Sequence, residues 1–374
     1  MGNSKQWSTG RVMGMPASLC LAGVVALGGC GAQDEEPTDK GELQVRMLFD
    51  RTGPTALNTS DPINAGLIDY IEVRNATGGV AGYQVRYQEA DHQYNGELAK
   101  QKYDEFKALD DLDGDGRWDT VVTIFGEGTP DTLAVTADVT NDEIPFFSQA
   151  YPGALAAPEA FSKEVSLDDG SEMQIEVNGS PYNFFVGTDY STGIRIGMQF
   201  VKERGGTKVA FIGCSNPYCT GPLTAGKTYA TGLGLEIAPD QCDPENPTDS
   251  CPELGGPQAD ATFIADRMAE YFESNSDVDW VWVGNLTNTT VPIIQGVHAV
   301  APNVRFIVNV YGFDEAVYSL CGDACVDRVF GVMPFSAYGD TTVPGMASVV
   351  DIFDSSSVND EGWRTVRYVQ GYVT

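Results

Sequence analysis

Val121-Val122-Thr123-Ile124-Phe125-Gly126-Glu127-Gly128-Thr129-Pro130-Asp131-Thr132 holds the repeating unit of the whole chain. A β-branched and aromatic run reads as a buried strand, two glycines turn the chain, and a helical spacing of apolar residues follows. The pattern predicts a strand over 119–125 and a helix over 132–141. Gly126 and Gly128 allow a backbone to approach a ligand closely, and the helix start would aim free N–H groups at the same spot, which suits a carboxylate or other anion. A plain strand-to-helix turn capped by Thr129 explains the same residues equally well.

Outward from this unit the pattern repeats. Strands are expected over 43–49, 84–88, 144–148, 182–186, 208–212, 279–283 and 305–310. Helices are expected over 97–109, with Leu98, Phe106 and Leu109 inward, and over 191–204, 260–274 and 291–300. Another starts at Asp61-Pro62, an N-cap and first-turn proline, and stops at Gly78-Gly79. Alternating units of this kind build parallel sheets with helices on both faces. A length of 374 residues with 42% hydrophobic content exceeds one core and favours two lobes. The fold expected is α/β, two doubly wound parallel-sheet lobes with a hinge and an interlobe cleft. Such sheets take ligands outside the carboxyl ends of their strands. The segments there (50–55, 126–132, 148–152, 189–191, 215–218, 284–290 and 311–315) are rich in glycine, hydroxyl and aromatic groups, as a cleft for a polar small molecule requires.

The N-terminus points to export. Leu27-Gly28-Gly29-Cys30 closes an apolar run over 17–27 behind Lys5 and Arg11, the layout of a bacterial lipoprotein signal. The run is shorter than the roughly 20 residues a membrane-spanning helix needs. Residues 1–29 are thus read as a signal peptide and 30–41 as a tether. A lipid anchor on Cys30 would hold the protein in the periplasm or at the extracytoplasmic membrane face. The chain has 53 acidic against 22 basic residues and a net charge of −31, which argues against nucleic acid or anionic lipid headgroups as partners.

Cysteine usage agrees with export. Cys214 with Cys219, Cys242 with Cys251 and Cys321 with Cys325 form three close pairs, read as local disulfides in an oxidising compartment. A metal site would need other spacings and a nearby histidine. A redox role for Cys214 and Cys219 is a further option, although their spacing around Pro217 suits a stapled loop better.

Asp111-Leu112-Asp113-Gly114-Asp115-Gly116-Arg117-Trp118-Asp119 is the sharpest chemical motif. Asp111, Asp113, Asp115 and Asp119 stand at positions 1, 3, 5 and 9 of an EF-type calcium loop, with glycine at 6 and the Arg117 carbonyl available at 7. Val122 takes position 12 in place of the usual glutamate. A structural Ca2+ is expected here, with a solvated acidic turn as the alternative. No catalytic residue or catalytic cofactor is expected. His92 and His298 are the only histidines and both read as structural, paired acids such as Asp168 and Asp169 are common in so acidic a chain, and no nucleophile elbow, P-loop or zinc signature is present.

Several segments carry a family resemblance: Gly53-Pro54-Thr55, Asn75-Ala76-Thr77-Gly78-Gly79-Val80-Ala81-Gly82, the 126–132 loop, Ile144-Pro145-Phe146-Phe147-Ser148, Asn216-Pro217-Tyr218 and Tyr368-Val369-Gln370-Gly371-Tyr372. In this order, over nearly the whole mature chain, they resemble type I periplasmic binding proteins, closest to the branched-chain amino-acid branch that serves ABC importers. The resemblance implies two lobes joined by three crossovers, with lobe 1 formed by 42–184 and 313–374 and lobe 2 by 185–312. It implies a ligand carboxylate held by the loops matching Gly128, Thr129, Ser148 and Ala150. Tyr218 would be an aromatic wall, Tyr190 a further ligand contact, Asn285 a second-lobe contact, and Asp314 the acceptor for a ligand amine. Pro152 departs from the pattern, standing where related amino-acid binders often have a ligand-contacting threonine. The chain stops at Thr374 inside what should be a helix, so a truncated C-terminus is expected. The function implied is a monomeric, non-catalytic lipoprotein that delivers a small polar solute (amino acid, amide or small carboxylate) to an ABC permease. A sensor of the same fold and, less favoured, an exported hydrolase using Ser148 are the alternatives.

Overall fold

The computed structural model describes residues 40–156, 161–166, 172–177, 179–240, 260–359 and 361–374. The expected lipidation site Cys30, the Cys242 and Cys251 pair and the Asp168 and Asp169 acids lie outside these residues.

The first lobe opens with β1 (Glu42–Phe49), α1 (Asp61–Ala76), β2 (Gln84–Asp91), α2 (Gly96–Asp110), β3 (Val121–Gly126), α3 (Thr129–Asn141) and β4 (Phe146–Ser148). One turn of π-helix, Ala56–Ser60, leads into α1. An antiparallel hairpin, β5 (Phe161–Ser166) and β6 (Glu172–Val177), precedes β7 (Asn183–Phe184), which closes a parallel sheet of order β2-β1-β3-β4-β7. The hairpin falls in a stretch where no strand was predicted.

The second lobe comprises α4 (Tyr190–Glu203), β8 (Lys208–Ile212), α5 (Pro217–Thr220), α6 (Leu223–Gly232), β9 (Glu236–Ile237), α7 (Ala261–Ser274), β10 (Trp280–Val283), α8 (Thr287–Val300), β11 (Arg305–Val308), α9 (Glu315–Cys321) and β12 (Val329–Gly331). Its parallel sheet has the order β12-β11-β10-β8-β9. Because β12 pairs with β11, lobe 2 runs past the boundary expected at residue 313. The helix that Asp314 caps, α9, packs on the second sheet with α8, so the lobe division implied by the resemblance falls too early. The return comes with α10 (Met346–Ser355) and α11 (Val366–Val373), whose Val349, Phe353, Tyr368 and Val369 form a cluster with Ala65 of α1. Among the described residues the chain thus crosses twice between sheets, over 185–189 and 332–345.

Strand composition explains the layering. All four residues of β10 are buried. Trp280 and Trp282 pack into the cluster on one face of the sheet, Val281 and Val283 into the cluster on the other. A strand covered on both faces belongs at the centre of a parallel sheet, and each such side chain contributes about 1.5–3 kcal/mol of transfer free energy. On α2 the buried stripe is Ala99, Tyr103, Phe106 and Asp110, which leaves Leu109 65% exposed rather than inward. Phe263 of α7 lies outside the Ile264, Met268, Phe272 stripe and covers the Arg267 guanidinium.

Two sequence motifs have structural explanations. Asn75 grips β2 with its side chain, donating to the Val85 carbonyl (2.9 Å) and accepting from the Val85 N–H (2.8 Å). Gly66 and Gly371 let α1 and α11 cross in backbone contact, since a Cβ on either would strike the Tyr368 or Ile63 carbonyl of the other helix. Cys214 bridges Cys219 and Cys321 bridges Cys325, with Cα separations of 5.2 and 5.8 Å, as the pairing by proximity predicted.

Candidate functional site

The carboxyl ends of the two sheets face one another, and the segments following their strands meet in a single cavity. Lobe 1 contributes Thr55 and Thr59 after β1, Tyr94 after β2, Glu127, Gly128 and Thr129 after β3, and Ala150 after β4. Lobe 2 contributes Tyr190 at the start of α4, Tyr218, Leu286 and Tyr311. The cavity encloses only about 10 Å³, room for a single water, so a solute can enter only if the lobes part.

The lobe 2 wall is aromatic. Ring centroids of Tyr190 and Tyr218 lie 5.3 Å apart, and those of Tyr218 and Tyr311 lie 5.7 Å apart, both edge-on. The Tyr311 N–H donates to the Tyr218 hydroxyl at 3.2 Å. Burial raises all three phenols well above their ordinary range, so they stay neutral donors. Behind them, the Gln370 side-chain amide from α11 donates to Gln149 Oε1 (3.0 Å), the Tyr151 hydroxyl (2.9 Å) and the Tyr311 hydroxyl (2.8 Å). The Tyr311 hydroxyl in turn donates to the Gln149 carbonyl. This buried network ties both lobes to the last helix. Arg367 lies over the Tyr311 ring at 4.9 Å and donates to the Val310 and Phe313 carbonyls.

The lobe 1 wall is acidic. Gly128 has φ of +103°, and a Cβ there would meet the Asp131 carboxylate, so only glycine fits this turn. Asp131 and Glu127 are 3% exposed. Burial pushes the Glu127 carboxyl up to about 8, and the Asp50 carboxylate adds to the rise, while the Ser60 hydroxyl and Asp50 N–H oppose it. Burial and then Glu127 drive Asp131 upward, and Asp131 accepts its own N–H. His92 stands beside them, fully buried. Its Nδ1 accepts from the Tyr94 N–H (3.1 Å), so Nε2 holds the proton, 3.1 Å from Asp131 Oδ2. Burial pulls its pKa down. Asp50 is saturated, accepting from the N–H groups of Gly53 (2.5 Å) and Thr55 (2.8 Å) and from the Thr55 hydroxyl (2.7 Å). One oxygen of Glu127, Oε2, is buried without a hydrogen-bond partner.

Of the residues singled out by sequence, Gly128, Thr129, Ala150, Tyr190 and Tyr218 line the cavity. Ser148 does not; its hydroxyl donates to the Ala150 carbonyl (2.6 Å), accepts from the Ala150 N–H (3.0 Å) and pairs with Thr132 (3.2 Å), shaping the loop that presents Ala150. Asn285 is fully buried one residue before Leu286. Asp314 stands apart, capping α9 through the Ala316 N–H (3.0 Å) and accepting from the Thr287 hydroxyl (2.7 Å), so it is already occupied. The anion cradle expected at the α3 start is filled by the chain's own acids. Thr55, Glu127, Leu286 and Tyr311 lie in strand-end segments expected to form the cleft but were not singled out as ligand contacts, whereas Thr59 and Tyr94 fall outside those segments.

Two sheets joined by crossing segments, with a cavity at their facing strand ends, define a hinged two-lobe binding protein. The profile of the periplasmic binding protein family matches residues 42–372. The chain belongs to that family, a group of solute-binding proteins rather than enzymes that act outside the cytoplasm. Among solved structures it is similar to an ABC-transporter substrate-binding protein from Aeropyrum pernix, with 26% identity over 89% of this chain and 76% of that one, at a TM-score of 0.69. A branched-chain amino-acid ABC-transporter protein from Thermus thermophilus with bound valine shares the fold at 19% identity, covering 89% and 75% of the two chains, TM-score 0.67. A solute-binding protein from Rhodopseudomonas palustris BisB5 in complex with 3,4-dihydroxybenzoic acid does so at 17% identity, 89% and 78% coverage, TM-score 0.63. A search of curated proteins found no match. No described helix is long and apolar enough to cross a membrane.

The acidic loop after α2 gathers Asp111, Asp113 and Asp115 with one carboxylate oxygen each within 4.8 Å of the others. Asp119, also exposed, accepts the Leu112 N–H across the loop at 2.5 Å, and the Arg117 N–H donates to Asp115 at 2.9 Å.

Proposed function

We propose that this protein captures a small polar solute between its lobes and passes it to an ABC permease, working as a monomer held at the membrane by a lipid on Cys30. The observation that carries this reading is the convergence of strand-end segments from both sheets on one cavity. Closure would be driven by a solute that contacts both walls, because a ligand shifts a two-state equilibrium only through its differential affinity for the two states. Thermal-shift screening against amino acids, amides, amines and small carboxylates is the test. A dose-dependent rise in Tm with at least one class is expected; a protein indifferent to all of them would not be a solute carrier.

Two further features belong to the same reading. The two described disulfides are consistent with an oxidising, extracytoplasmic setting. A Ca2+ ion on Asp111, Asp113, Asp115 and the Arg117 carbonyl, with Asp119 behind, would relieve the repulsion among the clustered carboxylates and brace the lead into β3. Chelation should then lower Tm in the native protein and leave Asp113→Ala unmoved; equal behaviour of the two removes the ion.

A further inference from the structure

We propose that the solute carries a cationic nitrogen and that Glu127 is its counter-ion, at the base of a cage of Tyr94, Tyr190, Tyr218 and Tyr311; this rests on the solute-binding reading above. Glu127 lines the cavity and is 3% exposed; its carboxyl has the Asp50 N–H and the Ser60 hydroxyl beside it, and its Oε2 has no hydrogen bond of good geometry. A buried acceptor with no well-formed hydrogen bond gains from a charged donor brought in by the ligand. Every fixed charge around it is negative or held. Asp50 is a saturated carboxylate on the β1 side, Asp61 at the start of α1 is paired with Arg51 at 3.2 Å, and Asp131 on α3 already has His92. The groups facing Glu127 from lobe 2 are the neutral phenols of Tyr190 and Tyr311.

An incoming carboxylate would meet two buried acids in one turn at low dielectric. An ammonium or guanidinium group would meet an unsatisfied oxygen and aromatic rings, the combination that stabilises desolvated cations. The surface agrees, since a net charge of −31 draws cations and repels anions before contact. Asp314, the other acid considered for an amine, is committed to its helix cap.

Isothermal titration calorimetry on the whole protein decides it, with choline, putrescine and agmatine as cations and succinate and benzoate as anions. We expect at least one cation to bind, its affinity to rise between pH 6 and 8.5 as Glu127 loses its proton, and Glu127→Gln to weaken it by about 30-fold or more. Binding of succinate or benzoate without any cation overturns the inference and leaves the solute-binding reading standing. So does a Glu127→Gln protein that binds the cation as tightly as the native one. If that variant fails to fold, the native pH profile still decides, because flat or falling cation affinity refutes a carboxylate counter-ion. Silence toward every probe overturns the cationic-solute inference and leaves the solute-binding reading to the thermal-shift screen.

Discussion

The two walls of the cleft are built on opposite principles. Lobe 1 offers polar groups, Thr55, Thr59, Glu127 and Thr129, with a single ring, Tyr94. Lobe 2 offers large rings and Leu286. The polar wall is held from within by hydrogen bonds of its own lobe, as at Asp50 and Ser148. The aromatic wall belongs to a cluster that reaches across the seam to Met47, Phe49 and Ile63 of lobe 1. Removing the solute side of lobe 1 should therefore change recognition, whereas removing the solute side of lobe 2 should also change how firmly the lobes are held.

The largest effect is expected at Tyr218. Truncation to alanine deletes a ring that is 1% exposed and touches Tyr190 and Tyr311, and should cost about 3–5 kcal/mol in urea unfolding. Tyr218→Phe, which loses only the hydroxyl accepting the Tyr311 N–H, should cost roughly 1 kcal/mol. On the opposite wall Thr129→Ala should stay within about 1 kcal/mol. Equal losses from the two alanine variants would break the contrast between the walls.

A pH series sharpens the same contrast from the lobe 1 side. A Glu127 carboxyl raised to about 8 when folded, against an ordinary value near 4.5 when unfolded, gives stability that is full below the unfolded value and lost as pH rises through the folded one. Asp131, also raised, acts in the same direction. His92 is lowered by burial, so its contribution is present at high pH and lost as pH falls through its ordinary 6.5. Above that point only the acids act, and the slope between pH 6.5 and 8 should be downward, on the order of 1 kcal/mol per unit. Glu127→Gln should make it shallower, leaving the part that Asp131 contributes. A native profile that is flat or climbs over this window would mean that the wall is not acidic in the sense described.

These residues also mark what could be read from sequence. Most strands of the two parallel sheets were legible because β8 and β10 are dense in β-branched and aromatic side chains and β1 ends in the apolar run Met47-Leu48-Phe49, and a parallel sheet buries both faces of such runs. The general position of the cleft followed from strand ends. Which side chains enter it did not. Gly128 and Thr129 drew the eye as an anion cradle, but the glutamate between the glycines folds inward and turns the wall acidic, a matter of burial that local spacing does not encode. Tyr311 and Tyr94 arrive from segments far apart in the chain and share a cavity only through the closure of two sheets. The lobe boundary slipped for a related reason: a short exposed-edge strand such as β12, three residues long, carries too little pattern to be seen.

Asp314 gives the smallest and most pointed test of the contrast. If the cation acceptor sits on the acidic wall, Asp314 is only a helix cap that also receives the Thr287 hydroxyl. Asp314→Ala should then lower stability by about 0.5–2 kcal/mol and leave cation affinity within threefold, while Asp314→Asn, which still caps, should restore most of the loss. An Asp314→Asn protein that keeps its Tm but loses the solute would move the acceptor to lobe 2 and exchange the roles of the two walls.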